Sequence, residues 1–412
     1  MKTDLVKGKG VYKLPVIITV FCIVCTIAGA QFSSGSDGSD GAFYVPSTSG
    51  TITLDLPADG IFNYTIVTIE EGATVKYKPN SLNTPVYILA KGDILLNGII
   101  DVSGISGTQS PPMGGLGGPG GFDGGAPGIL GSPPGDGHGP GGGRAGTNDD
   151  PWKTESAGAG SYGGRPLENQ SDLSDKDGPI YGSPLLVPLA GGSGGAGTEG
   201  QPGRGGGGGG GAVLLASDTQ VVINSTGVIK SVGGNNSASP KSPAQGSGGA
   251  VRIVAPKVSG DGTIDVNGGY TNEYYGCRGG HGRIRVDTID RTELNISMEP
   301  VSAASVGSYM AVFPTPMPRL DIIHAAGEDI PEGTGSAVQV ILPFDDPTDQ
   351  TITVQARNFK GTVPIRIRVH PENGSYTDYD TEIDMAGGAT AQVSQVVTLP
   401  KNTLTNIYVW TR

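Results

Sequence analysis

The sequence predicts an all-β chain: a parallel β-solenoid (β-helix-like) with long glycine-rich loops, followed by an Ig- or fibronectin-III-like β-sandwich. An apolar segment punctuated by glycine turns recurs along the chain, which is typical of stacked coils. Glycine supplies 72 of 412 residues, against an ordinary share of about 7%. Residues 319–412 then lose glycine and gain short alternating apolar runs.

The first 30 residues have the pattern of a secretory signal peptide. Lysines at positions 2, 7, 9 and 13 precede an apolar run over 14–27, and small residues follow at 28–30. We expect cleavage between Ala30 and Gln31. The run is shorter than the roughly 20 residues of a membrane span, and no later run is longer. A secreted or cell-surface protein without a transmembrane segment after signal removal is therefore expected, with an uncleaved N-terminal anchor as the alternative.

Cysteine content and charge agree with export. Cys22 and Cys25 lie inside the signal, so the mature chain keeps Cys277 alone and forms no intramolecular disulfide. The formal net charge of -12 argues against nucleic acid as a partner, because phosphate binding needs clustered basic residues.

The remaining chain divides into four segments. Residues 31–42 resemble a flexible Ser/Gly/Asp linker, and 43–290 form the predicted glycine-rich solenoid. The strand-like part of 43–80 is expected to start or cap the stack, because an open end exposes unpaired strand edges. Residues 291–318 are predicted to be a second linker, which precedes the sandwich at 319–412.

The repeat has three full copies, at 86–104, 212–234 and 250–269, and a partial copy at 282–290. Each full copy has an alanine at the end of an apolar strand, a turn glycine, an isoleucine and a further glycine. These residues are Ala90, Gly98, Ile100 and Gly104; Ala216, Gly227, Ile229 and Gly233; and Ala255, Gly262, Ile264 and Gly268. Stacked coils would place the equivalent isoleucines in a ladder with a spacing of about 4.8 Å.

The longest glycine-rich stretch, about 103–211, allows three interpretations. A collagen helix is excluded because no strict Gly-X-Y period holds. Disorder is common in segments rich in glycine and proline. We favour extended segments of polyproline-II-like geometry packed side by side, because glycine has no Cβ and permits close approach of backbones.

Residues 319–412 contain several alternating segments, SAVQVILP, QTITVQARN, VPIRIRVHP, AQVSQVVTLP and NIYVWTR. Short strands at this spacing are typical of Ig-like sandwiches. The region has no cysteine pair, so an antibody-type disulfide is excluded, and Trp410 is expected in the core.

Several glycine-flanked motifs resemble a group of glycine-rich secreted bacterial proteins with a β-helix-like repeat. They are YGSPLLVPL at 181–189 before GGSGG at 191–195, GGGAVLLA at 209–216, SGGAVRI at 247–253 and GGHGRIR at 279–285. The resemblance covers about residues 40–290. It implies a cell-surface or extracellular location in a bacterium or archaeon, and it supplies no catalytic residues.

Asp101 and Asp265 are the candidates for polysaccharide chemistry. Together with Lys230 they occupy equivalent positions in the three copies, and glycoside hydrolysis needs two carboxylates at a set separation. The alternative, which we favour, is a solvated charge ladder between inward-facing aliphatic residues.

Arg252, Arg283 and Arg285 have two interpretations as well. They would either bind acidic glycans or cover the solenoid face and pair with its aspartates, and we favour the second.

No cofactor is expected. The four histidines, His138, His281, His324 and His370, are scattered without the spacing of a transition-metal site. Calcium is left open at Asp261 and Asp265, and at Asp136, Asp149 and Asp150, because carboxylates beside glycine-rich segments offer oxygen ligands.

These patterns favour a non-enzymatic extracellular structural or adhesive protein. Its expected partners are cell-surface polysaccharide or neighbouring protein subunits, including further copies of this chain. A polysaccharide lyase or hydrolase acting from the solenoid face is the alternative, and binding of ice or mineral by a flat surface is a weaker one.

Overall fold

The computed structural model describes residues 32–129, 131–146, 157–166, 176–200, 203–236, 244–270, 278–332 and 336–412. These all belong to one compact unit, Phe32–Arg412. The expected signal and its Ala30–Gln31 cleavage site lie outside the described residues, as do Cys277, Asp149 and Asp150.

The described chain is all-β, with parallel sheets in its first part. The strands of this part are β1 (Gly41–Val45), β2 (Thr51–Asp55), β3 (Ile61–Ile69), β4 (Thr74–Lys78), β5 (Val86–Ala90), β6 (Ile94–Leu96), β7 (Ile99–Asp101), β8 (Thr108–Gln109), β9 (Pro112–Met113), β10 (Ala212–Ser217), β11 (Gln220–Ile223), β12 (Val228–Lys230), β13 (Ala250–Gly260), β14 (Thr263–Asp265), β15 (Arg283–Asp290), β16 (Ser297–Glu299) and β17 (Ala304–Gly307). Two short 3-10 helices lie at Ser47–Ser49 and Val301–Ala303.

Two parallel sheets run side by side through this part. Sheet A has nine strands, β1, β3, β5, β6, β10, β11, β13, β15 and β17, and sheet B has six, in the order β16-β14-β12-β7-β4-β2. The chain alternates between them, so that each sheet A strand, or split pair of strands, is followed by a sheet B strand. We call each such unit a row. β17 forms the last row alone.

In sheet A, each of two long strands pairs with two short strands that follow one another in the chain. The strand pairings therefore form a closed ring. The first half of β3 pairs with β5 and its second half with β6. β13 does the same with β10 and β11. Each split pair therefore occupies a single position in sheet A, between the same two neighbouring rows.

Aliphatic ladders fill the space between the sheets. In sheet B, Ile229 pairs with both Ile100 and Ile264, which confirms the predicted isoleucine ladder. In sheet A, Leu215 pairs with both Ile88 and Ile253. All six side chains are buried in one core, and full burial of each contributes about 1.5–3 kcal/mol to folding.

The turn glycines of the repeat lie where successive rows come closest. A Cβ on Gly98, Gly227 or Gly262 would lie within 2.5 Å of a carbonyl oxygen of the preceding row. The alanine alignment is less regular, because Ala90 pairs with Ser217 and Ala216 pairs with Val254. The strand ends therefore shift by one residue while the glycine turns stay in register.

The glycine-rich stretches are packed as extended segments. The amides of Gly205, Gly208 and Gly211 donate to the 102–108 segment, at the carbonyls of Thr108, Ile105 and Val102. The amides one residue further on, those of Gly206, Gly209 and Ala212, donate to a second segment, at the carbonyls of Gly125, Phe122 and Pro119. The amides of Gly207 and Gly210 donate to a third segment, at the carbonyls of Ala244 and Ser247. Three directions with a period of three residues match the polyproline-II helix, which has three residues per turn.

The carbonyls of 205–211 face three further neighbours. They accept hydrogen bonds from amides at 115 and 118, at 192 and 195, and at 234 and 250. The segment is thus surrounded by extended backbone on six sides. A Cβ at any position from 205 to 211 would lie within 2.6 Å of a carbonyl oxygen, so only glycine fits there. This packing is the arrangement favoured from the sequence over disorder.

The predicted linkers are part of the packed structure. Ser34 and Ser36 are buried, and their hydroxyls donate to the carbonyls of Ala90 and Tyr64. Residues 291–318 contain β16 and β17, which extend sheets B and A. The parallel part therefore begins at β1 and extends past residue 290 to β17. The segments at 31–42 and 291–318 therefore include the start of β1 and all of β16 and β17.

The C-terminal module, residues 319–412, is antiparallel. Its strands are β18 (Arg319–Ala325), β19 (Glu328–Asp329), β20 (Asp349–Arg357), β21 (Thr362–Pro371), β22 (Thr377–Asp384), β23 (Thr390–Thr398) and β24 (Thr405–Thr411). Sheet C has the order β19-β18-β20-β23, and sheet D has the order β22-β21-β24. Alternate residues of both sheets, such as Ile352, Val354, Ile365 and Ile367, share one buried core.

Two expectations for this module were wrong. SAVQVILP, residues 336–343, belongs to no strand. Trp410 is only partly buried and lies outside the core. Ile407 and Val409 contact that core, so alternation along β24 turns Tyr408 and Trp410 to the opposite face.

Candidate functional site

The charged ladder on sheet B is the first candidate. Asp101, Lys230 and Asp265 stand side by side on β7, β12 and β14. Lys76 on β4 extends this line of charged side chains, and its Nζ lies 3.0 Å from Oδ2 of Asp101. Lys230 therefore separates the two aspartates, and their spacing of two rows is about 9.6 Å.

The local environment of Asp101 favours its ionised form. Asp101 accepts a hydrogen bond from the Ser103 amide at 3.0 Å. Burial opposes ionisation, but the bonds from Ser103 and Lys76 outweigh it and hold the pKa of Asp101 below its usual value. Asp265 accepts from the amide and side chain of Asn267. A glycosidase needs one carboxylic acid with a raised pKa, whereas the pKa of Asp101 is lowered.

The arginines on sheet A pair internally. Arg252 and Arg285 both contact Asp287, which is fully buried. Arg252 also donates to the carbonyl of Ala311 at 2.7 Å, and Arg283 donates to the carbonyl of Tyr181 at 2.9 Å. These contacts fasten two covering segments, around 181 and 309–313, onto the outer face of sheet A. The favoured interpretation, pairing with aspartates of the sheet, is confirmed for Arg252 and Arg285.

A largely buried polar cluster lies where the glycine-rich part meets sheet D. We call it the junction cluster, and it comprises Asp136, His138, Arg144, Arg368, His370, Tyr376, Asp378 and Tyr408. The backbone begins the contact: Gly135 and Gly374 form a parallel bridge, and the amide of Gly374 donates to the carbonyl of Pro134 at 3.2 Å.

Two of the histidines that are far apart in the sequence stack at this junction. The ring centroids of His138 and His370 are 3.8 Å apart, with an interplanar angle of 13°. Nδ1 of His138 lies 3.0 Å from the Tyr408 hydroxyl. Nε2 of His370 lies 3.2 Å from the carbonyl oxygen of Asp136, which can only accept, so Nε2 carries the proton.

Arg368 joins the two sides of the junction. Its guanidinium forms two hydrogen bonds with the Asp378 carboxylate, at 2.7 and 2.9 Å, and donates a third to the carbonyl of Gly139 at 2.7 Å. It also lies over the Tyr376 ring, 3.4 Å from its centroid. The side chain is only 1% exposed, so its charge depends on these partners.

Asp136 anchors the other side. Its carboxylate accepts from the amides of Ala145 and Tyr376, at 2.6 and 3.1 Å, and from Arg144 at 3.2 Å. Burial raises the pKa of Asp136, and these donors offset part of that rise. The carboxylate bonds to these three groups, which weakens it as a calcium ligand.

Burial keeps both junction histidines neutral. Burial, with help from the neighbouring His138 and Arg368, lowers the pKa of His370 to about 2. Burial also lowers the pKa of His138. Nδ1 of His370 has no hydrogen-bond partner within the described structure, and the parallel stack of the two rings does not point two nitrogens at a common metal position.

The calcium candidates Asp261 and Asp265 flank β14. Asp261 is exposed at the turn before the strand, and Asp265 is bonded to Asn267. Within the described ranges, no three His, Cys, Asp or Glu side chains form a group that would hold a metal ion. In the same residues no helix is long and apolar enough to cross a membrane.

Sequence reasoning missed the junction cluster. The alternation of Arg366, Arg368 and His370 against Asp378 and Asp380 was the available signal, since it predicts two facing strands with complementary charges. The contact between the C-terminal module and residues 134–139 could not be predicted from the sequence, because those glycine-rich residues carry little side-chain pattern.

Comparison with known proteins finds no matching family model, no matching curated protein and no matching solved structure.

Proposed function

We propose that this chain is an extracellular structural or adhesive protein rather than an enzyme. In this proposal the parallel rows form a short β-solenoid, the glycine-rich stretches form a rigid lateral body, and an Ig-like sandwich serves as the attachment module. Cell-surface polysaccharide or neighbouring protein subunits are the partners.

The packing of residues 205–211 carries the proposal. Extended backbone surrounds this segment on six sides through hydrogen bonds in both directions. A body in which backbone packs directly on backbone has little freedom to open or close, which suits a load-bearing element.

The junction cluster adds a second argument. Arg368, His370 and Tyr408 of the C-terminal module bond to residues 136–139 of the glycine-rich part. The buried charges are thereby used to hold two parts of the molecule together. Transmission of force from the attachment module to the body needs such a fixed connection.

The ladder on sheet B supports a non-enzymatic role. Its aspartates alternate with lysines, and the bonds from Ser103 and Lys76 hold the pKa of Asp101 below its usual value. A charged β-surface of this kind fits an adhesive contact with a polar glycan surface.

Fractionation of producing cells tests the proposal. We expect the protein to sediment with cell envelopes and immunogold labelling to place it on the outer surface. The matched assay offers uronates, pectins and neutral glycans to the purified chain and measures product release. A soluble protein that turns over one of these polymers, and that loses turnover in Asp101→Ala or Asp265→Ala, would contradict the proposal and favour the lyase or hydrolase.

A further inference from the structure

Six tripeptides of the form Asn-x-Ser/Thr occur in the sequence, with no proline at the middle position. They begin at Asn63, Asn169, Asn224, Asn235, Asn295 and Asn373. Chance predicts fewer, because 16 asparagines in a chain with 65 serines and threonines among 412 residues would give roughly two or three such tripeptides. In an exported protein this tripeptide is the acceptor for N-glycosylation, and it belongs on the surface.

Three of the tripeptides lie in less open places or outside the described residues. Asn169 and the end of the Asn235 tripeptide are not among the described residues. Oδ1 of Asn235 also accepts from the amide of Tyr270 at 2.6 Å. Asn63 is half-buried within β3, where it pairs with Leu89 of β5. A sugar at Asn63 would have to stand on a packed sheet.

A fourth tripeptide, at Asn373, lies at the junction between β21 and β22. Nδ2 of Asn373 donates to the carbonyl of Pro133 at 3.0 Å, and the next residue, Gly374, forms a bridge with Gly135. A sugar on this nitrogen would meet the glycine-rich part of the chain. The contact at the junction therefore disfavours modification of Asn373.

The two remaining tripeptides lie in open turns. Each turn joins a sheet A strand to the sheet B strand of the same row, since 224–227 connects β11 to β12 and 291–296 connects β15 to β16. Asn224 and Asn295 are exposed, and so are Thr226 and Ser297, the hydroxyl residues two positions further on. Both the acceptor amide and the hydroxyl of each tripeptide are therefore open to solvent.

These turns stack along one edge of the rows, with the turn at 260–262 between them. The amide of Gly262 donates to the carbonyl of Ile223 at 3.0 Å, and the amide of Asn295 donates to the carbonyl of Gly260 at 2.9 Å. Asn224 and Asn295 are thus two rows apart, a separation of about 9.6 Å. Each turn can carry a sugar without occupying the place of the other.

The hydrogen bonds of the Asn224 tripeptide are compatible with modification. Nδ2 of Asn224 donates to Oδ1 of Asn97 in the neighbouring row at 2.6 Å, and the Thr226 hydroxyl donates to the carbonyl of Asn97 at 2.8 Å. A side-chain amide nitrogen carries two hydrogens. One of them stays in the bond to Asn97 and orients the side chain, and the other is the one that a sugar would replace.

We propose that Asn224 and Asn295 are N-glycosylated in the producing cell. The donor is an activated sugar, a glycosyl phosphate or diphosphate, and a transferase of the cell catalyses the step. A bond forms between Nδ2 and the anomeric carbon while the bond from that carbon to the phosphate oxygen breaks. The phosphate leaves with the electron pair, and the proton lost from Nδ2 passes to a base of the transferase.

The glycans would add hydrated bulk along the edge where these turns face solvent. This inference rests on the proposed extracellular function, because it requires that the chain meets the glycosylation enzymes of an exporting cell. It identifies a covalent modification of the chain itself, which the proposed function leaves open.

Peptide mass spectrometry of the protein purified from each fraction of producing cells tests the inference. We expect sugar-containing mass additions on the peptides that contain Asn224 and Asn295, and unmodified peptides at Asn63, Asn235 and Asn373. Bare Asn224 and Asn295, or sugar confined to the other tripeptides, would overturn the inference.

Two pairs of variants test whether the tripeptides direct the modification. Thr226→Ala keeps the acceptor Asn224, and we expect the intact chain to lose the mass of one glycan, whereas Ser225→Ala, at the exposed middle position, should retain it. Ser297→Ala should lose the glycan of Asn295, and Ser297→Thr should keep it. A sugar on Asn224 that persists in Thr226→Ala would contradict the assignment.

The cell fraction separates failure of this inference from failure of the proposed function. Envelope-associated protein with bare Asn224 and Asn295 would refute the glycosylation and leave the structural role intact. Protein that stays in the cytoplasm, with the same bare asparagines, would contradict the proposed function as well.

Discussion

The glycine-rich segments and the C-terminal module achieve order in opposite ways. Around 205–211, backbone packs on backbone and nearly every amide has a carbonyl partner. In the module, side chains such as Ile352 and Ile367 fill a space between two sheets. One region therefore tolerates no added atom, while the other depends on the atoms that its side chains supply. Sensitivity to substitution should follow this difference.

The largest effect is expected from an added methyl group in the glycine segment. Gly208→Ala would place a Cβ against the carbonyl oxygen of Leu116, and we expect it to lower the free energy of unfolding by about 3 kcal/mol or more. Gly387→Ala is the control, because nothing lies within 4 Å of its Cβ position. Urea denaturation measures both. Equal stability of the two variants would contradict the claim that the glycine segment tolerates no added atom.

In the module, loss of a methyl group sharpens the same contrast. Ile367→Val should cost about 0.5–1.5 kcal/mol, which is less than Gly208→Ala although both change a single methyl group. The two variants are compared by urea denaturation under one set of conditions. A larger cost for Ile367→Val would show that the glycine segments contribute less to stability than the module core.

Loss of the Arg368 guanidinium tests the connection between the two regions. Arg368→Ala leaves the carbonyl of Gly139 without its donor, and Asp378 keeps only its contact with Arg366. We expect a loss of about 2–3 kcal/mol. The partly exposed Arg366 pairs with Asp380 on the same sheet, so Arg366→Ala should cost about 1 kcal/mol or less. Similar losses in thermal denaturation would contradict a buried connecting role for Arg368.

Acid should weaken the same connection. The pKa of His370 is about 2 in the folded chain and about 6.5 when unfolded. The unfolded chain therefore binds more protons between these values, and stability falls as pH drops below about 6.5. At a pH near 4.5, two units below the unfolded pKa, the loss from His370 is about 3 kcal/mol.

His370→Gln isolates this contribution. Its stability should change less between pH 7.5 and 4.5 than that of the wild-type chain, although its stability at pH 7.5 is lower. Asp136 acts in the opposite direction because its folded pKa is raised, and His138 acts in the same direction as His370. Denaturation at both pH values measures the stability of each chain. An equal pH dependence in wild type and variant would show that His370 does not titrate as proposed.

The smallest effect is expected on sheet B. Asp101→Asn removes a pairing with Lys76, whose side chain is 50% exposed, and should change stability by less than about 1 kcal/mol. Lys78 and Asp55 form an exposed pair on the same sheet, so Asp55→Asn is the control. A loss comparable with Arg368→Ala would show that the ladder is more than a solvated face.

The sequence predicted the features that depend on side-chain alternation. Ile100, Ile229 and Ile264 align in the repeat and pair in sheet B. Alternation does not, however, choose between two apolar faces, so the expectation from NIYVWTR that Trp410 lies in the core was wrong. It also cannot show that 336–343 belongs to no strand, since strand pairing depends on where other edges lie.

The packing of the glycine segments depended on information that side chains do not carry. Glycine has no Cβ, so neighbouring segments such as 102–108 and 192–195 leave no pattern in 205–211. The junction of His138 with His370 was hidden for the same reason, because it depends on where the glycine body brings residue 138.

Amide hydrogen exchange of residues 205–211 tests the central claim most directly. Every amide in this segment donates to a carbonyl in a neighbouring segment. We expect these amides to exchange as slowly as those of the buried strand β13, because both would open only with global unfolding. Exchange as fast as that of exposed loop residues, with β13 still protected, would contradict the account of a rigid glycine body.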